Sequence, residues 1–173
     1  MQELFLQFKD RVYNTALGYL QSSEDAEEIV QDVFVEVFWS AHSFKAQSGV
    51  STWIYRIAVN KCLDVLRHRK RKKRFGMITS LFKTGSTELK HDSGHFDHPG
   101  VLMENKEQAK ALFRALETLP AQQKTAFVLS YVEDLPQKEV AAIMGLSVKA
   151  VESLIQRAKG KLRKELVNNR RDL

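Results

Sequence analysis

Residues Leu135 to Leu166 have the pattern of two short helices joined by a tight turn, and the second helix is strongly basic. Pro136 lacks a backbone N–H, which costs nothing in the first turn of a helix, and Gly145 can adopt the left-handed conformation that ends one. Ser147 offers a hydroxyl oxygen to the free N–H groups of the following helix. This order of helix, glycine turn and capped helix predicts a helix-turn-helix.

The second helix of this motif separates apolar from polar side chains. Val151, Leu154 and Ala158 stand at helical spacing on the apolar side. The other side carries residue types that read base edges or bind phosphates, namely Lys149, Glu152, Ser153, Gln156, Arg157 and Lys161. We therefore predict that this helix binds DNA. The alternative from the residues alone is a helical hairpin with a solvated basic face.

The composition indicates a folded protein with real cores, because 43% of the 173 residues are apolar. Charged residues interrupt the apolar runs, so the sequence predicts no signal peptide and no membrane insertion, and the expected location is the cytoplasm. Cys62 is the only cysteine, which excludes an internal disulfide, and its apolar helical surroundings predict a core position.

The charge is unevenly distributed along the chain. Residues 1–66 contain five basic and nine acidic side chains, whereas residues 67–74 contain seven basic side chains and none that is acidic. An acidic surface followed by a concentrated basic segment predicts two kinds of partner, a protein and a polyanion, bound by different faces.

The first half of the chain reads as three helices. Apolar residues at helical spacing predict the first over residues 3–20, and Ser22 and Ser23 are positioned to cap a second helix with acidic first turns. In that second helix we expect a broad buried stripe that ends at Phe38. The other side of this helix is polar and acidic, and from the residues alone it is best interpreted as a helix face exposed to solvent.

A loop over residues 40–52 contains one aromatic residue that is expected to be exposed, Phe44, and a third helix is predicted from about Thr52. In this helix Tyr55, Arg56 and Asn60 are predicted to point away from the core. Aromatic residues ahead of a dense basic segment are typical of a platform for single-stranded nucleic acid, with a nonspecific basic surface as the alternative.

The remaining segment from 76 to 103 lacks periodicity and predicts a linker, followed by helices from about Glu104 and from Pro120. The predicted fold class is all-α, with two small helical domains joined by a flexible linker and a helix-turn-helix in the second. The predicted divisions are a first domain over 1–75, the linker over 76–103 and a second domain over 104–173.

Two segments, in this order, resemble the extracytoplasmic-function sigma factors, the small two-domain promoter-recognition subunits of bacterial RNA polymerase. DAEEIVQDVFVEVFWSAHSFKAQSGVSTWIYRIAVNKCLDVLRHRKR resembles region 2 of that family, and ALETLPAQQKTAFVLSYVEDLPQKEVAAIMGLSVKAVESLIQRAKGKL resembles region 4. The resemblance covers nearly the whole chain. It implies a non-catalytic DNA-binding protein without a cofactor, whose partners are core RNA polymerase, promoter DNA and an anti-sigma factor.

The resemblance also implies roles for particular residues. Core polymerase would be bound by the acidic second helix through Glu28, Asp32 and Glu36. The −10 element would be bound by Phe44, Lys45, Trp53, Arg56, Asn60, Lys61 and Arg67, with Phe44 and Asn60 holding the unpaired base. The helix Val148–Leu162 would read the −35 element with the six residues named above. The sequence departs from the family pattern at Lys124, where arginine is common, and at Glu152, where a basic residue is frequent.

Two other functions stay open from the residues alone. A stand-alone helix-turn-helix regulator would bind its operator without polymerase. A metal-dependent hydrolase would use the cluster of His91, Asp92, His95, Asp97 and His98 in the linker. The sequence disfavours the hydrolase, because no nucleophile, base and orienting acid fall on elements that are expected to converge. The regulator would be separated from a sigma factor by comparing DNA binding with and without core polymerase.

Overall fold

The computed structural model describes residues 2–46, 48–82 and 106–169, with side chains described over 2–46, 48–73 and 111–167. Within these ranges the chain is helical and contains no strand, which confirms the predicted all-α class. A 3₁₀ turn at Ala41–Ser43 follows the second of the α-helices, which are α1 (Gln2–Leu20), α2 (Ser23–Ser40), α3 (Val50–Phe82), α4 (Lys106–Glu117), α5 (Ala121–Tyr131), α6 (Gln137–Met144) and α7 (Val148–Asn169).

Local side-chain chemistry sets three of the helix ends as predicted. The Ser22 hydroxyl accepts a hydrogen bond from the backbone N–H of Asp25 at 3.2 Å, and the Ser147 hydroxyl accepts one from Ala150 at the same distance. Gly145 ends α6 with a φ of 65°, in the left-handed region that glycine adopts without a steric penalty. The turn between α6 and α7 is therefore fixed by residues that the sequence makes visible.

Helix α3 is longer than the sequence predicts. It begins at Val50 rather than Thr52 and continues through the basic segment to Phe82, because Lys and Arg favour helix and Gly76 does not interrupt it. The first seven residues of the predicted linker are thus helical. The rest of that linker, including the cluster of His91, Asp92, His95, Asp97 and His98, lies outside the described residues.

Each half of the chain builds a helical domain. Helices α1, α2 and α3 form the first around side chains such as Leu17, Val33 and Ile54, and helices α4 to α7 form the second. On α7 the predicted apolar side is buried as expected, through Val151, Leu154, Ile155, Ala158 and Leu162. This burial turns the polar side of α7 outward.

The two domains also pack against each other, along a contact that we call the seam. The seam is formed by α1 against α5 and by α3 against α6, and one cluster of buried apolar residues runs through both domains. Gly18 allows the close approach of α1 to α5, since a Cβ atom at this position would lie 3.1 Å from Cγ1 of Val128. Tyr55, which was predicted to point away from the core, is fully buried at the seam.

Candidate nucleic-acid and protein interfaces

The exposed side of α7 carries most of the residues that were predicted to read duplex DNA. Five of the six are exposed and line one concave surface of about 620 Å³, namely Lys149, Glu152, Ser153, Gln156 and Arg157. Their spacing of mostly three or four residues places them along one side of the helix. We call this the recognition face, and no rearrangement of α7 is needed to expose it.

Lys161, the sixth predicted residue, is engaged within the domain. Its Nζ atom donates a hydrogen bond to the carbonyl oxygen of Thr118 at 2.5 Å, just beyond the end of α4. A phosphate contact by Lys161 would have to replace or share this hydrogen bond. The structure therefore separates Lys161 from the five residues of the recognition face.

Tyr131 belongs to this surface as well, although it is not among the residues predicted from the sequence to bind DNA. Its side chain is 50% exposed and lines the same concave surface as the recognition face. The ring stacks on Phe127 with centroids 4.9 Å apart, and Nζ of Lys159 lies 4.5 Å from the Tyr131 centroid. This cation–π contact holds Lys159 beside the recognition face. The position of Tyr131 at the last residue of α5, next to the helix-turn-helix, is the sequence signal that could have found it.

An aromatic pair stands at the start of α3. The rings of Phe44 and Trp53 are stacked, with centroids 4.7 Å apart and planes 28° apart, and both side chains are half-buried. The expectation of an exposed Phe44 was wrong, because Trp53 covers one side of its ring. Lys45 is exposed next to the pair. A stacked pair of this kind can receive an unstacked base on its free side.

Arg56 and Asn60 follow Trp53 at helical spacing on α3, and both meet the second domain. The guanidinium of Arg56 donates to the carbonyl oxygen of Ala142 at 2.6 Å and to that of Ile143 at 3.2 Å, at the C-terminal end of α6. Asn60 lines a groove of about 180 Å³ whose other wall includes Met144 and Leu146. We call the surface that holds Phe44, Trp53, Arg56 and Asn60 the α3 face.

Other cations of α3 have acidic partners within the first domain. Lys61 pairs with Glu36 at 2.9 Å, and Arg67 pairs with Asp64 one turn earlier at 2.5 Å. Arg69 pairs with Asp25 of α2 at 2.6 Å. Exposed pairs of this kind contribute about 0 to 1 kcal/mol each. The charges of Lys61 and Arg67 are thus partly neutralised by their acidic partners. Further along α3 the side chains of Lys70, Arg71, Lys72 and Lys73 are exposed.

The acidic side of α2 is exposed and lies beside exposed apolar side chains. Glu28, Asp32 and Glu36 recur at intervals of four residues and all face solvent. Along the same helix an apolar ridge is formed by Val35, Phe38 and Trp39, which are 56%, 59% and 69% exposed. The prediction that Phe38 ends a buried stripe was therefore wrong. An exposed apolar ridge with polar residues along its border is typical of a protein-binding surface.

Titratable groups lie buried in the seam. The Tyr55 hydroxyl donates to Oε2 of Glu133 at 2.8 Å, and Arg11 lies 3.7 Å from the same oxygen. Burial raises the pKa of Glu133, although the Tyr55 hydrogen bond and Arg11 oppose the rise. Burial lowers the pKa of Lys124 to about 8, and the charge of Glu117 opposes this fall. Nζ of Lys124 donates to the Tyr19 carbonyl oxygen at 2.8 Å.

Among the described residues no group of three or more His, Cys, Asp or Glu side chains is arranged to hold a metal ion. None of the described helices combines the length and apolar character needed to cross a bilayer.

Comparison with known proteins identifies both domains. Residues 4–72 match the family model of sigma-70 region 2, and residues 109–162 match that of sigma-70 region 4. The ECF RNA polymerase sigma-E factor of Escherichia coli K12 is 31% identical over 160 residues, which cover 90% of this chain and 81% of that protein. The chain belongs to the ECF family of RNA polymerase sigma factors. The ECF sigma factor SigW of Bacillus subtilis 168 is 29% identical over 163 residues, covering 92% of this sigma factor and 84% of SigW.

Solved structures agree on the fold. RpoE of Bartonella quintana, in complex with the anti-sigma factor NepR, matches with a TM-score of 0.68 and 22% identity over 95% of both chains. CnrH, in complex with the cytosolic domain of CnrY, matches with a TM-score of 0.66 and 26% identity over 97% of this chain and 90% of CnrH. At 22% identity, the likeness to RpoE shows the fold alone.

Family membership confirms the function that the resemblance implied. The chain is a promoter-recognising initiation factor that acts with core RNA polymerase, and its family is DNA-binding and non-catalytic. This decides against the stand-alone regulator.

Proposed function

We propose that this sigma factor divides promoter recognition and polymerase binding among three surfaces. The recognition face of α7 reads the −35 element through Lys149, Glu152, Ser153, Gln156 and Arg157, with Lys161 on the flanking phosphates. The α3 face and its neighbours bind the −10 element through Phe44, Lys45, Trp53, Arg56, Asn60, Lys61 and Arg67. Helix α2 binds core polymerase through Glu28, Asp32, Glu36 and the apolar ridge.

The exposure of the recognition face carries the proposal for the −35 element. A helix enters the major groove with the side chains of one side directed at base edges, and five such residues share one concave surface here. Arg157 suits guanine, Gln156 suits adenine, and the Glu152 carboxylate can accept from the amino group of cytosine. The acidic residue at position 152 therefore points to a base preference that differs from that of relatives with a basic residue.

Helix α2 supports the proposal for core polymerase by combining charge with apolar area. Asp32 is the cleanest position for a test, because Glu36 already pairs with Lys61 and its reversal would also disturb the −10 residues. We expect Asp32→Lys to weaken the binding of core polymerase about tenfold or more, and the matched reversal Asp10→Lys on α1 to have little effect. Equal binding by the Asp32→Lys variant and wild type, in titrations with labelled sigma factor, would contradict this role.

An anti-sigma factor and a cytoplasmic location complete the proposal. Two solved structures that match this fold are complexes, one with the anti-sigma factor NepR and one with the cytosolic domain of CnrY. The matching relatives are RNA polymerase sigma factors, and polymerase works in the cytoplasm. A partner that covers the apolar ridge would compete with polymerase for the same surface.

Run-off transcription tests the proposal as a whole. Purified sigma factor is added to core polymerase on a library of genomic fragments, and the start sites define the −35 and −10 elements. We expect transcripts only when both proteins are present. Specific duplex binding by the sigma factor alone, at affinities unchanged by core polymerase, would overturn the proposal.

A further inference from the structure

A glycine stands in the middle of α7 at a position where the packing of the protein does not require one. Gly160 is exposed and lies within the regular 22-residue helix, without the positive φ that Gly145 has. An added Cβ atom would meet nothing within 4 Å beyond the adjoining residues of its own helix. Glycine destabilises the interior of a helix relative to alanine. Neither a turn nor close packing therefore accounts for the missing side chain.

Gly160 lies on the exposed side of α7 between two groups of polar residues. Gln156 and Arg157 of the recognition face precede it by four and three residues, so they are its neighbours on the helix surface. Arg163 and Lys164, which are also exposed, follow it by three and four residues. The missing side chain thus leaves a gap with proposed base-reading residues on one side and two cations on the other. We call this gap the α7 notch.

The length of α7 places the notch where the helix would leave the major groove. A helix of 22 residues is about 33 Å long, whereas the major groove of B-DNA is about 12 Å wide. The part of α7 from Lys149 to Arg157 spans about 12 Å, so the recognition face has the length of the groove width. Gly160 lies about 4.5 Å further along the helix axis. At that point the helix meets the sugar–phosphate backbone that forms the wall of the groove.

We propose that the α7 notch receives the DNA backbone at one edge of the −35 element, with Gly160 giving the clearance and Arg163 and Lys164 binding the phosphates. Without a Cβ atom the helix can approach the backbone more closely than any other residue would allow. The closer approach lets Gln156 and Arg157 reach base edges deeper in the groove. This inference rests on the proposed −35 role of the recognition face, and it adds three residues to that site.

Two substitutions at position 160 separate DNA contact from folding. Gly160→Ala meets no clash in the free protein and removes the helical disadvantage of glycine, so it should raise the melting temperature by about 2 °C. The same methyl group would occupy the α7 notch. With core polymerase and a duplex promoter fragment found by run-off transcription, we expect about threefold weaker binding for Gly160→Ala and about tenfold for Gly160→Leu, as the charge-assisted phosphate contacts are lost. A glycine with a purely structural role would not combine higher stability with weaker DNA binding.

Single methylphosphonate linkages, which replace a charged phosphate oxygen by a methyl group, locate the contact on the DNA. Neutralising the phosphate that enters the notch should weaken binding of the wild-type holoenzyme about tenfold and that of the Gly160→Leu holoenzyme by less than about twofold. A methylphosphonate at the opposite edge of the −35 element is the matched control and should weaken both alike. Equal promoter affinity of Gly160→Leu and wild type, or the same methylphosphonate profile for both, would overturn the inference.

Two further variants distinguish failure of the notch from failure of the −35 role. Arg157→Ala reports on the recognition face, and wild-type binding by this variant would mean that the −35 role fails, and the notch with it. Arg163→Ala combined with Lys164→Ala should weaken all −35 sequences alike and reduce the slope of log affinity against log salt by about two. Weaker binding by Arg157→Ala, with wild-type binding by both substitutions of Gly160, would leave the −35 role standing and overturn the notch.

Discussion

The recognition face and the residues of α3 are both proposed to bind DNA, yet their polar side chains have different surroundings in the fold. On α7 five proposed DNA-binding residues face solvent together, and within the described part of the chain none of the five has a hydrogen-bond or ion-pair partner. On α3 Arg56 is bonded to the end of α6, Lys61 to Glu36 and Arg67 to Asp64. The residues proposed for the −35 element thus face solvent without such contacts, whereas three cations proposed for the −10 element already have partners within the protein.

This difference teaches that the two promoter elements differ in when they can be bound. A duplex element can be recognised by a rigid, exposed helix, but an unpaired base exists only after the DNA has melted. Substitutions on the two faces should therefore alter different steps of initiation.

The largest effect is expected from the aromatic and amide groups of the α3 face. Phe44→Ala with Asn60→Ala should reduce open-complex formation by roughly 10-fold to 100-fold, because stacking of one base contributes about 1 to 3 kcal/mol. Binding of the −35 duplex should be unchanged. Permanganate reactivity and duplex affinity measure the two steps separately. A variant that lost binding of the −35 duplex but still melted promoter DNA would contradict the role proposed for Phe44 and Asn60.

On the recognition face, Arg157→Ala should reduce the binding free energy for the −35 duplex by about 1 to 3 kcal/mol and relax the preference at one base pair. Lys161→Ala should weaken the binding of all sequences alike, and by less than Arg157→Ala does, because the Lys161 Nζ atom already donates to the Thr118 carbonyl oxygen. Selection from a randomised −35 library, followed by sequencing, gives the base preferences of both variants. Identical preference profiles for the two variants would contradict this division.

The stability of the protein should depend on pH through a group buried in the seam, Lys124. The pKa of Lys124 is lowered from 10.5 to about 8, so between these values the unfolded chain binds more protons than the folded one. Stability should therefore rise with pH from about 8 by at most about 1.4 kcal/mol per unit. Lys124→Met should remove this rise. Urea unfolding at pH 8.0 and 9.5 measures this change in the free energy of unfolding. An equal change with pH for wild type and Lys124→Met would show that Lys124 does not titrate in this range.

The smallest effect concerns the contact that supports the recognition face from below. Tyr131→Leu removes the ring beneath Lys159 and should weaken −35 binding by about 0.5 to 1 kcal/mol, whereas Tyr131→Phe keeps the ring and should be nearly silent. Titration of a −35 duplex at two salt concentrations measures both. Equal losses for the two variants would assign the effect to the hydroxyl instead.

Features set by neighbouring residues were predictable from the sequence. Ser22, Gly145 and Ser147 take their predicted roles because a cap or a turn depends on the few residues around it. The buried side of α7 was equally visible, since its period of 3.6 residues is complete. The recognition face follows from that burial, because whatever is not buried on an amphipathic helix faces outward.

Features set by distant packing were not predictable. Tyr55 is buried because α6 and the turn that holds Glu133 pack over α3, and nothing in the local pattern of α3 indicates that cover. Phe38 is exposed for the opposite reason, since the apolar pattern of α2 predicted a covering neighbour that the described residues do not supply. The seam, and with it the occupation of Arg56, depends on contacts about 90 residues apart.

The apolar ridge has a consequence for the behaviour of the protein in concentrated solution. The side chains of Val35, Phe38 and Trp39 leave apolar area in contact with water. Such a surface can associate with other apolar surfaces, including the same ridge on another molecule. We expect the isolated protein to self-associate at high concentration and to be most soluble when a partner covers α2, so that a co-expressed binding partner would act as a solubiliser as well as a regulator.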